Sequence, residues 1–494
     1  MDMNPITALR GTVLPISNVL AAVVVVFGAA MLVPAAMAIV DGDSGQRAFA
    51  QSALAIFVLG GLWWLATRKY RRELRIRDGI LLVTLAWIFI PALAALPLKF
   101  GIPGLSFTDA YFEAVSGLTT TGSTVLSDLD HLAPSLNFWR HLLHWIGGMG
   151  IIVLAVAILP LLGVGGMQLF RAETPGPMKD SKLTPRIAHT AKALWYVYAG
   201  VTLACAIALR FAGMSWFDAV CHAFSTMSLG GFSTHDKSIG YFDSLRIELV
   251  LSTFQIIAAM SFATHFLAVR DRSLRPYARD VEAKAMLRLL AVSVFGLSLF
   301  LTLKGTYPDF VSALRHASFN IITVATTSGF ATQDYAQWPL FAPLWMLFLS
   351  CIIPSAGSTG GGIKMIRALL LAKQSARELV GVLHPNLMRP VKVAQNVVDN
   401  SVILAVLGFV FLYFMSVVVL TLILIGSGLD FTTALTATVA SINNTGPGLG
   451  IVGPNSNYSV LNDFQTWVCA LAMLLGRLEV FTLIVIFTPA FWKK

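Results

Sequence analysis

Charge is what this sequence has least of. Of its 494 residues, 12% are Asp, Glu, Lys or Arg and 56% are hydrophobic, whereas a soluble domain carries about 25% charged residues. A water-soluble fold of this composition would leave too much apolar surface exposed. Cysteine is scarce as well. Cys205, Cys221, Cys351 and Cys469 are scattered, with no CxxC pair, which argues against a disulfide framework and against a thiolate metal site. No HExxH set and no nucleophile–base pair suggests an enzyme, and no nucleotide-binding motif is present.

What fills the space is long apolar runs. Those at 19–40, 193–209, 402–425 and 467–487 approach or exceed the roughly 20 residues needed to cross a bilayer. The first reads as a retained helix. It is longer than a signal core, and Asp41-Gly42-Asp43 is not a small-residue cleavage site. The net charge of +10 would suit nucleic acid, but the basic residues cluster in loops: 68–77, 171–186, 270–279, 364–392 and the terminal Lys493 and Lys494. Segments poor in Lys and Arg lie between them, at 41–46, 107–137, 216–245, 306–339 and 426–465. This alternation predicts ten crossings with both termini cytoplasmic and no nucleic-acid role.

The segments poor in basic residues repeat. Gly122, Gly231, Gly329 and Gly446 stand 109, 98 and 117 residues apart, and twelve positions before each stands an alanine: Ala110, Ala219, Ala317 and Ala434. Ser106-Phe-Thr-Asp-Ala110, Ser215-Trp-Phe-Asp-Ala219 and Asp430-Phe-Thr-Thr-Ala434 share one register. Each unit reads as a crossing helix, a short helix of ~12 residues that cannot span, a polar strip holding the glycine, and a returning helix. The short helix opens at a capping Ser or Asp in three of the four units.

The expected fold is therefore an all-α polytopic membrane protein, with four fused helix–pore-loop–helix repeats around a central pore. Residues 1–70 form an extra N-terminal pair of transmembrane helices, at about 17–40 and 48–67. The repeats occupy 71–180, 181–275, 276–390 and 391–494.

Non-helical backbone at membrane depth survives only where protein buries it or where it lines a water-filled path. Four such strips on one axis would ring it with carbonyl and hydroxyl oxygens able to replace the hydration shell of a monovalent cation. The candidate residues are Thr120, Thr121 and Gly122; Leu229, Gly230 and Gly231; Thr327, Ser328 and Gly329; and Asn444, Thr445 and Gly446. A central glycine takes positive φ without steric cost. Each short helix aims its negative carbonyl end at the axis. Leu229 stands where the other strips carry Thr or Asn, leaving backbone carbonyls to act there. Asp128, Asp130, Asp236, Asp334 and Asp463 follow the strips. They either concentrate cations at the outer mouth or are ordinary solvated charges. His141, His144 and His222 read as polar packing groups.

The chain resembles the Trk/Ktr/HKT superfamily of potassium uptake proteins, in its TrkH branch. The segments that carry the likeness are Gly117-Leu-Thr-Thr-Thr-Gly-Ser-Thr124, Trp145-Ile-Gly-Gly-Met-Gly150, Gly165-Gly-Met-Gln-Leu-Phe-Arg-Ala-Glu173, Ser228-Leu-Gly-Gly-Phe-Ser-Thr-His-Asp236, Gly357-Ser-Thr-Gly-Gly-Gly-Ile-Lys364, Asn443-Asn-Thr-Gly-Pro-Gly448 and Gly476-Arg-Leu-Glu479. The resemblance implies K+ as the transported ion with no resident cofactor, the inner membrane of a bacterium, and a homodimer. It also implies a cytosolic nucleotide-binding regulatory ring of the TrkA type, docked on segments such as 171–192 and 364–392.

Gly357, Ser358, Thr359, Gly360, Gly361 and Gly362 interrupt the returning helix of the third unit. Each glycine costs a helix about 1 kcal/mol relative to alanine. Ile363 follows where a phosphate loop needs Lys. The break is either a packing kink or, as the resemblance implies, the intramembrane gate. Arg477 lies within the last apolar run, where an arginine costs ~2.5–3.5 kcal/mol at mid-bilayer. Glu479, two residues on, does not share its helix face. The resemblance implies that Arg477 points into the pore and contacts the glycine loop; the alternative is a structural ion pair. Passive conduction competes with secondary transport coupled to sodium or protons.

Overall fold

The computed structural model describes residues 5–72, 74–150, 187–386, 390–393 and 396–492. Six helices among these residues are long and apolar enough to cross a membrane, and up to eight if two sharply bent pairs each count as one span. Pro5–Ala30 runs on into Leu32–Asp41 and packs against Gly45–Thr67. The first helix thus begins well before residue 17, where the apolar run had placed it. Ile76–Gly101 opens unit one, Ile187–Ala212 unit two, Val281–Leu303 unit three and Asn400–Gly426 unit four. At 1.5 Å per residue, the 27 residues of Asn400–Gly426 reach about 40 Å, enough for a hydrocarbon core of about 30 Å. Lys392–Val393 and Asn396–Val397 form a small antiparallel ladder beside this otherwise helical architecture.

The four short helices are Phe107–Leu118, Trp216–Ser228, Phe310–Ala325 and Phe431–Ile442. Three are capped as their register requires. Ser106 accepts from the Asp109 amide at 3.0 Å, Ser215 from Asp218 at 3.0 Å and Asp430 from Thr433 at 3.0 Å. The third unit also has a cap, which the register missed. Asp309 accepts from the Ser312 amide at 2.9 Å, because this helix is 16 residues long and starts one turn earlier.

The units close into a cycle. The returning helix of unit one, Pro134–Met149, packs on the short helix of unit two. Leu245–Ala259 packs on that of unit three, Phe341–Ile352 on that of unit four, and Asp463–Arg477 on that of unit one. The N-terminal helices lie against unit one. From Ala110 to Leu118 every residue of the first short helix is buried, so the polar strips hang from helices enclosed by protein.

The returning helices are broken more widely than the glycine run suggested. In unit two, Leu245–Ala259 and Phe262–Asp271 meet at 94°; in unit four, Asp463–Arg477 and the segment Phe481–Phe487 meet at 106°. In unit three, Phe341–Ile352 stops and Met365–Leu383 resumes beyond the glycine loop. Unit one's helix ends at Met149, with Gly150 at φ 77°. The remainder of that returning segment, including the motif 165–173 and the basic stretch 171–186, lies outside the described residues.

Candidate ion pathway

The strips take an unusual backbone, four times over. Gly122, Gly231, Gly329 and Gly446 have φ of 85°, 79°, 77° and 95°. Two residues earlier, Thr120, Leu229, Thr327 and Asn444 are also left-handed, at 56°, 56°, 64° and 53°. For residues bearing a Cβ this costs roughly 1–2 kcal/mol each, and such strain persists only where the surroundings over-determine it.

The glycines also close a ring. A Cβ built on Gly122 would lie 2.0 Å from the Gly230 carbonyl oxygen, one on Gly231 1.8 Å from that of Ser328, one on Gly329 1.9 Å from that of Thr445, and one on Gly446 2.9 Å from that of Thr121. Each unit's glycine therefore touches the next unit's carbonyl, and the fourth returns to the first. Side chains weld the joint between units four and one. Asn444 Nδ2 donates to Thr121 Oγ1 at 2.9 Å, while Ser123 and the Tyr458 hydroxyl donate to the Gly446 carbonyl at 3.0 and 2.9 Å. Asn444 Oδ1 and Thr445 Oγ1 are buried acceptors with no hydrogen-bond partner among the described residues. Leu229 turns its side chain into the apolar cluster that holds Met227 and Phe262, so its unit offers backbone oxygens, as its lack of a hydroxyl required.

The glycine loop is bound to the side of this ring that faces the ends of the short helices. The Gly361 amide donates to Thr327 Oγ1 at 3.1 Å, and Thr359 Oγ1 to the Met227 carbonyl at 3.0 Å. A Cβ on Gly361 would fall 1.9 Å from the Asn443 carbonyl oxygen, so no larger residue fits. Arg477 donates to the Thr359 carbonyl at 3.1 Å, to Gly148 at 3.3 Å and to Gly147, and its guanidinium stands 5.7 Å from the Trp87 ring. It thus joins unit four to the loop of unit three and to unit one's helix. Gly357 accepts from the Phe262 amide at 3.0 Å, at the break in unit two, while Gly362 holds φ 75° and Ser358 bonds back to Ser355.

The family model for TrkH, described as a cation transport protein, matches residues 44–494. The Trk system potassium uptake protein TrkH of Escherichia coli (strain K12) is 45% identical over 480 residues, covering 97% of this chain and 99% of that protein. The chain belongs to the TrkH family of cation transport proteins. The Trk system potassium uptake protein TrkG of the same organism is 40% identical over 469 residues, covering 95% of this chain and 96% of that one. The crystal structure of the potassium transporter TrkH from Vibrio parahaemolyticus superposes with a TM-score of 0.88 at 42% identity, covering 97% of this chain and 99% of that one.

Several charged residues at this TrkH-family site were not singled out from the sequence. Lys364 is 6% exposed and donates to the Gly360 carbonyl. Arg367, 7% exposed, pairs with Glu479 at 2.7 Å and sits 4.0 Å over the Phe409 ring. These two cations, at the start of the basic segment 364–392, face the loop and its supports. Exposed charge on the helix begins at Lys373. Glu282 accepts from the amides of Ala356 at 2.8 Å and Ile366 at 3.2 Å, clipping the two ends of the loop together. Each was visible as a charge within or beside an apolar span, which is a functional signal by default.

The acids that follow the strips split. Between units one and two, Asp130 bonds His235 Nδ1 at 2.5 Å and Asp236 accepts from the Leu129 amide at 3.0 Å; within unit one, Asp128 pairs with His131 at 2.6 Å. Asp334 caps its own short turn, and Asp463 opens a helix. Burial pulls the His235 imidazole down, but bonds to Asp218 and Asp130 outweigh it and hold it above the ordinary histidine value. Burial pushes Asp130 up, and the bonds from His235 and the Asp236 amide more than reverse it. Burial raises the Asp236 carboxyl, and the Asp130 charge adds to this against the Leu129 bond. His141, His144 and His222 are buried: His141 bonds the Asn137 carbonyl at 2.8 Å, His144 stacks on Phe232 at 4.0 Å, and His222 bonds Ser233 at 3.0 Å. No cluster of three metal-ligating side chains occurs among the described residues.

Proposed function

We propose that this chain takes up potassium by gated, channel-like conduction through the ring of four strips. The observation that carries the reading is the cyclic contact of Gly122, Gly231, Gly329 and Gly446 with the neighbouring units' carbonyls. Its relatives' names, potassium uptake protein TrkH and TrkG, point the same way. Thr120, Thr121, Leu229, Gly230, Thr327, Ser328, Asn444 and Thr445 complete the filter, and the four repeats that carry it are 71–180, 181–275, 276–390 and 391–494. The unpartnered oxygens of Asn444 and Thr445 suit a cation that has shed its water. The loop from Gly357 to Gly362 is the gate. Arg477 is its latch and an electrostatic barrier on the inner side of the filter.

No fuel is required. A membrane potential of about 100 mV supplies ~2.3 kcal/mol per charge, and at ~1.4 kcal/mol per tenfold this sustains roughly fifty-fold accumulation. The working protein is a homodimer in the inner membrane with both termini cytoplasmic. A TrkA-type nucleotide-binding ring docks on its basic cytoplasmic segments and releases the loop. The test is isotope uptake into liposomes with potassium, sodium and protons varied one at a time. Conduction requires uptake driven by the potassium gradient or voltage alone. A strict need for a sodium or proton gradient would make the protein a coupled secondary transporter instead.

A further inference from the structure

Three residues past the common alanine, the four short helices carry Glu113, His222, Asn320 and Ala437. The first three do the same thing. Glu113 accepts from Thr124 Oγ1 at 2.9 and 3.0 Å and from the Val125 amide at 3.1 Å. His222 Nε2 bonds Ser233 Oγ at 3.0 Å. Asn320 donates to Thr332 Oγ1 at 2.9 Å and accepts from the Thr332 amide at 3.2 Å. In unit four, where Ala437 cannot reach, Thr436 one residue earlier accepts from the Leu449 amide at 2.8 Å. In every unit the tether lands two or three residues beyond the ring glycine. Each strip is thus fixed at its outer exit by its own short helix.

In unit one alone of these four tethers a carboxylate does the work, and it is held in turn by a guanidinium. Glu113 is 0% exposed and Arg140 1%. Arg140 Nε meets Glu113 Oε1 at 2.7 Å. Its other nitrogens donate to Asn137 Oδ1 at 3.0 Å, to Thr124 Oγ1 at 3.3 Å and, at 3.5 Å, to the Ser233 carbonyl. Its guanidinium lies 4.2 Å over the Phe232 ring. Thr124 follows Gly122 in the first strip, and Phe232 and Ser233 follow Gly231 in the second. One buried pair therefore grips two neighbouring strips.

Stability alone does not call for such a pair, since hydrophobic residues of similar volume often serve a buried site as well or better. What charge adds is fixed, directional bonding. We infer that Glu113 and Arg140 are positioning residues that hold the first two strips at a set spacing and so determine the preference for potassium over sodium. The inference rests on the filter reading above. Sodium is the smaller ion. A ring free to contract around it discriminates poorly, and a brace anchored outside the ring resists that contraction.

The experiment compares Thr124→Val, the double variant Glu113→Leu/Arg140→Met, and Gly122→Ser in purified protein. Thermal stability and the ratio of potassium to sodium uptake are read on the same liposome preparations. Thr124→Val removes the strip-side hydroxyl that bonds both Glu113 and Arg140, and leaves the Val125 amide bond and the ion pair intact. The double variant removes both charges together, so no unpaired charge is buried. The ratio is expected to fall about tenfold in the double variant, the factor that one charge-assisted bond represents in an equilibrium. Thr124→Val should fall in the same direction and add little when combined with the double variant. A merely structural pair would change stability and leave the ratio at the wild-type value. That result in both folded variants, with the ratio lost in Gly122→Ser, overturns the brace alone. An unchanged ratio in Gly122→Ser as well overturns the filter reading and the brace with it.

Discussion

A serine at Gly122 would bring its Cβ to 2.0 Å from the Gly230 carbonyl oxygen at a φ of 85°, which is both a clash and a strained backbone. The strip must move, and the carbonyls move with it. Gly→Ser at Gly122, Gly231 or Gly329 should lower the potassium-to-sodium uptake ratio by about tenfold or more, the effect of roughly 1.4 kcal/mol of lost discrimination. At Gly446 the approach is looser, 2.9 Å, and the loss should be smallest. Paired isotope uptake checks both the direction and this ranking.

Arg477 is the second residue-scale case. In the proposed role its charge opposes a cation in the path; for scale, two unit positive charges about 8 Å apart at an effective dielectric of about 20 repel by about 2 kcal/mol, roughly a thirtyfold barrier. Arg477→Ala removes that barrier and the bond to the Thr359 carbonyl, so potassium flux should rise in protein that remains folded. Lower stability together with lower flux would assign Arg477 a structural role instead. His235 gives a pH dependence. Its raised pKa means that its contribution to stability is complete below the ordinary value of 6.5 and is lost as pH rises through the higher folded value. The lowered pKa of Asp130 adds a contribution present above 3.8 and lost as pH falls through its folded value. The stability gap between wild type and His235→Gln should therefore be widest near pH 6 and narrow in alkali, as thermal unfolding across pH would register.

At the scale of elements, the repeated units were legible because one glycine and one alanine recur in register through all four Lys/Arg-poor segments, with a capping residue in register in three of them. Two breaks were not. The turn at Met260 and Ser261 contains neither Pro nor Gly. It exists because the glycine loop takes over the freed backbone groups: the Ser355 amide donates to Ala259, and the Phe262 amide to Gly357. The turn after Arg477 puts Glu479 and Val480 at φ 55° and 47°, with Glu479 held by Arg367 from a distant segment. Such contacts between remote positions leave no local pattern. The same holds for Glu113 and Arg140, 27 positions apart and outside any helical pairing distance. The loop prediction belongs here. If the loop is the gate proposed above, removing part of 357–362 should raise potassium flux and weaken its dependence on the regulatory partner. Wild-type flux in folded, shortened protein would leave the loop as a packing kink.

For the whole molecule, the cyclic order of units, each returning helix against the next short helix, arranges four units of a single chain in a ring. Four similar units need not be identical: Leu229, the longer third helix and the charged brace of unit one show the symmetry relaxing where a single copy can specialise. The central claim is that this pore conducts potassium passively. The most direct measurement is the reversal potential of purified protein in a bilayer, taken as the potassium gradient is varied and then as sodium and pH gradients are imposed alone. The account predicts a reversal potential that follows the potassium Nernst value and does not respond to sodium or proton gradients. A reversal potential that shifts with either of those gradients at fixed potassium would contradict it.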